Sequence, residues 1–63
     1  MKDIMRFEWR GYIIKLWRDE HGVYVIRSSL HPDYNTITYT LDMAIQVFDT
    51  RIKAVKIFVS QSH

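Results

Sequence analysis

Three successive polar residues, Asp19, Glu20 and His21, are the first place in this chain where acid–base chemistry could occur. An imidazole beside carboxylates can move protons when a pocket holds it against a substrate. Here Gly22 follows directly, and the segments on both sides are rich in β-branched and aromatic residues, as in two strands joined by a tight turn. We therefore interpret these residues as the polar tip of a β-hairpin and not as a catalytic site.

The other polar residues predict no enzyme and no metal or cofactor site. The chain has no cysteine, and its three histidines, His21, His31 and His63, lack the short spacings typical of metal ligands. There is no glycine-rich phosphate loop. No base accompanies Ser28 and Ser29, which could act as nucleophiles, and Ser60 and Ser62 lie in a predicted tail.

Length and composition indicate one small globular domain, residues 1–63. Hydrophobic residues make up 48% of the chain and charged residues 25%, which argues against disorder. A net charge of +2 permits an anionic partner without requiring one. No apolar run approaches the roughly 18 residues that cross a membrane, and the N-terminus lacks the apolar stretch of a signal peptide. We expect a cytoplasmic protein without a membrane partner.

The pattern of apolar residues predicts an α+β fold, in which an antiparallel β-hairpin and a third strand pack on one long C-terminal helix. The predicted strands are 7–18, 23–30 and 36–39, and Thr40 caps a helix over 41–59. Ile57, Phe58 and Val59 are β-prone, so the last eight residues could form a strand instead. Six apolar residues recur at helical spacing and form the predicted core stripe: Leu41, Ile45, Phe48, Ile52, Val55 and Val59.

The turn that ends at Gly22 fixes the pairing of the two strands. Glycine at the last position of a three-residue loop is typical of a type I turn followed by a bulge, which places Trp17 opposite Val25 and Lys15 opposite Arg27. Because side chains alternate along a strand, one face is expected to carry Trp9, Ile13, Lys15, Trp17, Val25 and Arg27.

This second face is the first candidate binding surface, through Trp9, Lys15, Trp17 and Arg27. Two cations directly opposite each other cost stability unless an anion lies between them. Aromatic and basic side chains can stack bases and neutralise phosphates, and they also dominate protein interfaces. A third interpretation is that the N-terminal segment or a loop covers the two tryptophans.

A second apolar stripe on the helix is the other candidate surface. It consists of Met43, Val47, Ala54 and Phe58, displaced from the core stripe by roughly 100 to 160°. One sheet needs only one stripe, so Met43, Val47 and Phe58 are predicted to contact a partner or a second copy of the chain. Alternatively, the 31–35 loop covers Met43 and Val47, and the hairpin covers Phe58.

The start of the helix, residues 40–49, reads Thr-Leu-Asp-Met-Ala-Ile-Gln-Val-Phe-Asp. This segment resembles the helix of the plant AP2 domain, and the order of hairpin, third strand and helix resembles the arm-type DNA-binding domains of integrases. The resemblance covers residues 9–52 and implies a sheet that enters the DNA major groove. It then implies DNA contacts by Arg10, Lys15, Trp17, Arg18 and Arg27.

These observations favour a small binding protein without catalytic activity. We expect a protein-interaction or inhibitory module, of the kind that phages and mobile elements encode. It would dock through the aromatic and basic sheet face or the outer helix stripe, on a protein partner or as a homodimer. The alternative is a nucleic-acid-binding module that uses the same sheet face.

Overall fold

Four antiparallel strands and one long helix make up the fold, which is the predicted α+β class. A computed structural model describes residues 3–61, so Ser62 and His63 lie outside the described residues. The strands follow one another in the sheet in their chain order. The elements are β1 (Asp3–Trp9), β2 (Tyr12–Arg18), β3 (Tyr24–Ser28), β4 (Thr36–Thr38) and α1 (Leu41–Gln61).

The prediction of one strand over 7–18 is wrong, because the chain reverses at Arg10 and Gly11. Both residues have positive φ, 51° and 83°, as a two-residue type I′ hairpin turn requires. The reversal pairs Trp9 with Tyr12 and creates β1, a strand that the sequence analysis did not anticipate. Directly paired residues share a face of the sheet, so the turn also decides where Trp9 points.

The second turn and its register are confirmed. The Gly22 amide donates to the Asp19 carbonyl at 3.1 Å, and Gly22 has a φ of 81°. The Asp19 carboxylate accepts from the amides of His21 and Val23 at 2.9 and 3.1 Å. The resulting register places Trp17 opposite Val25 and Lys15 opposite Arg27, as predicted.

The core lies between the helix and one face of the sheet. Ile14 and Leu16 are fully buried there, and Phe7, Trp9 and Tyr12 pack against the cluster. The helix packs on β2, β3 and β4, whereas β1 makes its main contacts with β2. The buried core cluster consists of Ile14, Leu16, Ile26, Ala44, Phe48 and Val55.

The helix is turned relative to the prediction, and the predicted core stripe is only partly correct. Leu41 and Ile45 are 39% and 41% exposed, whereas Ala44 is fully buried. At about 100° per residue, Ala44 lies between the two predicted stripes. The small alanine side chain lets the helix approach the sheet closely. Phe48 and Val55 of the predicted core stripe are buried beside it, whereas Leu41 and Ile45 lie at the margin of the contact.

The helix continues to Gln61, which resolves the open question of its C-terminal end within the described residues. Thr40 caps it as predicted, because its hydroxyl accepts from the Met43 amide at 3.3 Å. Asp49 and Lys53, one helical turn apart, form an ion pair at 3.1 Å. Within residues 3–61, no helix is long and apolar enough to cross a membrane.

Candidate binding surface on the open sheet face

A groove of about 450 Å³ lies on the sheet face opposite the helix. Lys15 and Trp17 project into it from β2, and Arg27 from β3, because alternate residues of each strand point away from the core. We call this feature the outer groove. Its lining residues are Asp3, Ile13, Lys15, Trp17, Arg27, Ser29 and Pro32.

Three cationic residues form one row across the open face. Arg6 of β1 lies directly opposite Lys15, and Lys15 lies directly opposite Arg27. Arg6 has a partner in Glu8 at 3.5 Å. Lys15 and Arg27 form no ion pair with any other residue of the 3–61 segment. Two free like charges therefore face each other, an arrangement that costs stability until an anion binds.

An apolar row runs beside the cations. Trp17 lies opposite Val25, and Val25 lies opposite Ile37 of β4. Ile37 is 56% exposed although it is a large aliphatic residue in a strand. Val25 is only 6% exposed, so the apolar area that this row offers to a ligand is that of Trp17 and Ile37, beside the positive charge. Specific protein interfaces combine apolar and charged groups in this way.

The segment after β3 builds one wall of the groove. The Ser29 amide donates to the Ile13 carbonyl at 2.9 Å, and the Ser29 hydroxyl accepts from the Ile13 amide at 3.0 Å. Further along, His31 stacks on Tyr34 at 5.6 Å between ring centroids, and the Arg51 guanidinium lies 5.6 Å from the Tyr34 ring. These contacts hold the segment in place, so Pro32 forms a fixed edge of the groove.

The two tryptophans, predicted on one face, lie on opposite faces. Trp17 lines the outer groove as expected. Trp9 packs against the core cluster on the helix side, and the Arg10 guanidinium lies 4.8 Å from its ring. The prediction that Trp9 lies beside Trp17 is wrong because the Arg10–Gly11 turn reverses the alternation between them.

The outer helix stripe is only partly covered within the chain. Val47 packs against the core cluster, and the Phe58 ring meets the Tyr12 ring edge-on at 6.1 Å. The hairpin thus covers part of Phe58, which remains 44% exposed. Met43 is 57% exposed and lies beside a shallow groove with Val47, Gln46 and Arg51.

Within residues 3–61, the polar residues considered for catalysis are not brought together into one site. Asp19 is engaged in the turn, and Glu20 and His21 are exposed at its tip, with 3.6 Å between Glu20 Oε1 and His21 Nε2. His31 is stacked on the Tyr34 ring, three residues further along the chain. Among the described residues, no group of three or more histidines and carboxylates is placed to hold a metal ion.

Sequence reasoning missed the contributions of Asp3, Arg6 and Pro32 to this face. The signal for β1 was present in the alternation of charged and apolar residues from Arg6 to Trp9, which is typical of a half-buried strand. Pro32 reaches the groove through contacts with residues remote in the chain, which no local pattern reveals.

Comparisons with protein-family models, curated proteins and solved structures found no match to this chain. The resemblance to AP2 and integrase domains therefore stays a prediction.

Proposed function

We propose that the protein is a non-enzymatic binding module whose outer groove docks an acidic, partly apolar segment of a partner protein. The observation that carries the proposal is the unneutralised pair Lys15 and Arg27 at the floor of a groove that also contains Trp17. Two cations in direct opposition cost stability, so solubility alone does not explain why this face carries them.

Charge complementarity defines one half of the ligand. A carboxylate held between Lys15 and Arg27 would replace repulsion with two charge-assisted hydrogen bonds, which are the strong class. Arg6 is next in the row and is already shared with Glu8. The ligand is thus expected to present one or two acidic residues at this position.

Apolar contact defines the other half. Ile13, Trp17 and Pro32 line the groove around the cations, and tryptophan in a groove is a typical anchor at protein interfaces. The apolar row continues to Ile37 at the sheet edge. An amphipathic segment with acidic residues flanked by aliphatic or aromatic residues fits both features.

A nucleic-acid ligand is the second candidate, favoured by the row of Arg6, Lys15 and Arg27 beside Trp17. It fits less well, because Glu8 already engages Arg6, Asp3 lines the groove and the net charge is only +2. Phosphate tracking normally uses several free cations along one path.

The test is binding to an array of 12-residue peptides graded in acidic and apolar content. We expect retained peptides to carry both features, and Lys15→Glu and Trp17→Ala to reduce their affinity about tenfold or more. Lys56→Glu is the matched control, since it changes the net charge equally on the exposed helix surface. Equal loss with Lys56→Glu, or no enrichment of acidic peptides, would contradict the proposal.

The nucleic-acid candidate is tested in parallel with labelled single-stranded and duplex 12-mers of DNA and RNA. If phosphates were the ligand, affinity would fall steeply between about 50 and 200 mM salt, and Lys15→Glu would abolish binding. Binding of these probes in place of the acidic peptides would favour the second candidate over the first.

A further inference from the structure

The free edge of β1 differs from the other edge of the sheet. β1 spans seven residues, from Asp3 to Trp9, whereas β4 spans three. Short edge strands offer few unpaired backbone groups, and Arg51 additionally donates to the hydroxyl of Thr36, the first residue of β4, at 2.8 Å. The helix packs on β2, β3 and β4, so β1 lies at the margin that the helix covers least.

The turn geometry shows which backbone groups of β1 face outward. In a two-residue hairpin the flanking residues, here Trp9 and Tyr12, are hydrogen-bonded to each other. Bonded and non-bonded pairs alternate along an antiparallel ladder, so Phe7 also bonds to β2. The backbone N–H and C=O groups of Arg6 and Glu8 therefore point to the free edge.

We propose that β1 pairs antiparallel with β1 of a second copy, with the two-fold axis at Phe7. In this register Arg6 lies opposite Glu8 of the partner, and Glu8 lies opposite Arg6 of the partner. Both pairs use the outward-facing backbone groups, so they are the hydrogen-bonded pairs that the ladder requires.

Charge complementarity selects this register. Charged residues on an edge strand normally prevent edge-to-edge association. Here the two charges have opposite sign and equal distance from Phe7, so self-pairing turns them into two cross-strand ion pairs. Within one chain Arg6 and Glu8 already lie on the same face, 3.5 Å apart.

The apolar residues of β1 are compatible with the same axis. Phe7 would contact Phe7 of the second copy, and Met5 would contact Trp9 of the second copy. Both contacts lie on the face of the sheet that carries the helix. Phe7 and Trp9 are half-buried and Met5 is 37% exposed in the single chain. The register shift between Asp3 and Met5 lies outside the paired stretch and leaves it regular.

The proposal is independent of the outer groove, because it concerns the strand edge and a second copy of the same chain. Symmetric two-fold pairing of this kind closes on itself and yields a dimer with one continuous eight-stranded sheet. The outer grooves of both copies would then open on the same face.

Sedimentation equilibrium at tens of micromolar protein tests the pairing, because it measures the mass in solution, which can be compared with the 7.6 kDa of one chain. We expect twice this mass for the protein. Arg6→Glu or Glu8→Arg alone places like charges opposite each other and should weaken the dimer about tenfold or more. The double variant carrying both changes restores opposite charges and should restore the dimer.

Amide hydrogen exchange locates the interface. The amides of Arg6 and Glu8 should be protected in the dimer and exchange faster in either single variant, whereas circular dichroism stays unchanged. A monomer at these concentrations, or a dimer that Met43→Asp dissociates and the charge variants do not, would overturn the proposal. Failure of the double variant to recover the dimer would do the same.

Discussion

Strand β2 presents two faces that share one backbone and differ in what covers them. Ile14 and Leu16 point to the helix and are fully buried. Lys15 and Trp17, their neighbours in the chain, line an open groove on the other side. The first face forms the core of the fold, and the second buries Val25 but also carries exposed apolar area and two cations without an ion-pair partner among residues 3–61.

The largest expected change in unfolding free energy comes from comparing the two faces of β2 with the same substitution, isoleucine to alanine, at adjacent positions. Ile14→Ala leaves a cavity in the core and should lower the free energy of unfolding by about 2–5 kcal/mol. Ile13→Ala removes the same atoms from the half-buried groove wall and should cost less than about 1 kcal/mol. Urea unfolding of both variants measures the difference. Equal losses would show that the outer face also supports the fold.

The turn that ends at Gly22 sets the register and hence which side chains reach each face. Asp19→Ala removes the carboxylate that accepts from two backbone amides, so we expect a loss of about 1–2 kcal/mol in unfolding free energy. Glu20→Ala is the matched control at the exposed tip and should change it by less than about 0.5 kcal/mol. If both changes were equally mild, side-chain capping would not be what holds this turn.

The two turns also show how far sequence reasoning reaches. The second turn was predicted with its register because Asp19 and Gly22 supply local turn chemistry at fixed spacing. The first was missed because Arg10 is not a residue that usually adopts positive φ. Because this turn was not predicted, Trp9 was predicted on the wrong face of the sheet and β1 was not predicted as a separate strand.

The helix illustrates a second limit. Its existence, its Thr40 cap and its start at Leu41 follow from spacing and capping chemistry. Its rotation does not, because the centre of the contact is Ala44, a residue too small to stand out in a pattern of large apolar side chains. The groove itself depends on Asp3 and Pro32, which only tertiary packing brings to Lys15 and Arg27.

A substitution in the row of Arg6, Lys15 and Arg27 gives the smallest expected change in unfolding free energy. The informative result is whether this change stabilises or destabilises the fold. Lys15→Glu places an acid between Arg6 and Arg27, so two repulsive cross-strand pairs become attractive. We expect the free energy of unfolding to rise by about 0.5–1 kcal/mol. The gain should shrink in about 1 M NaCl, because salt screens exposed charges.

Urea unfolding of Lys15→Glu beside Lys56→Glu is the measurement that tests most directly whether the open face is kept for a ligand at the expense of stability. We expect a higher urea midpoint for Lys15→Glu, no comparable rise for Lys56→Glu, and loss of acidic-peptide binding in the first variant alone. A lower midpoint for Lys15→Glu would contradict it, since the lysine would then stabilise the fold itself.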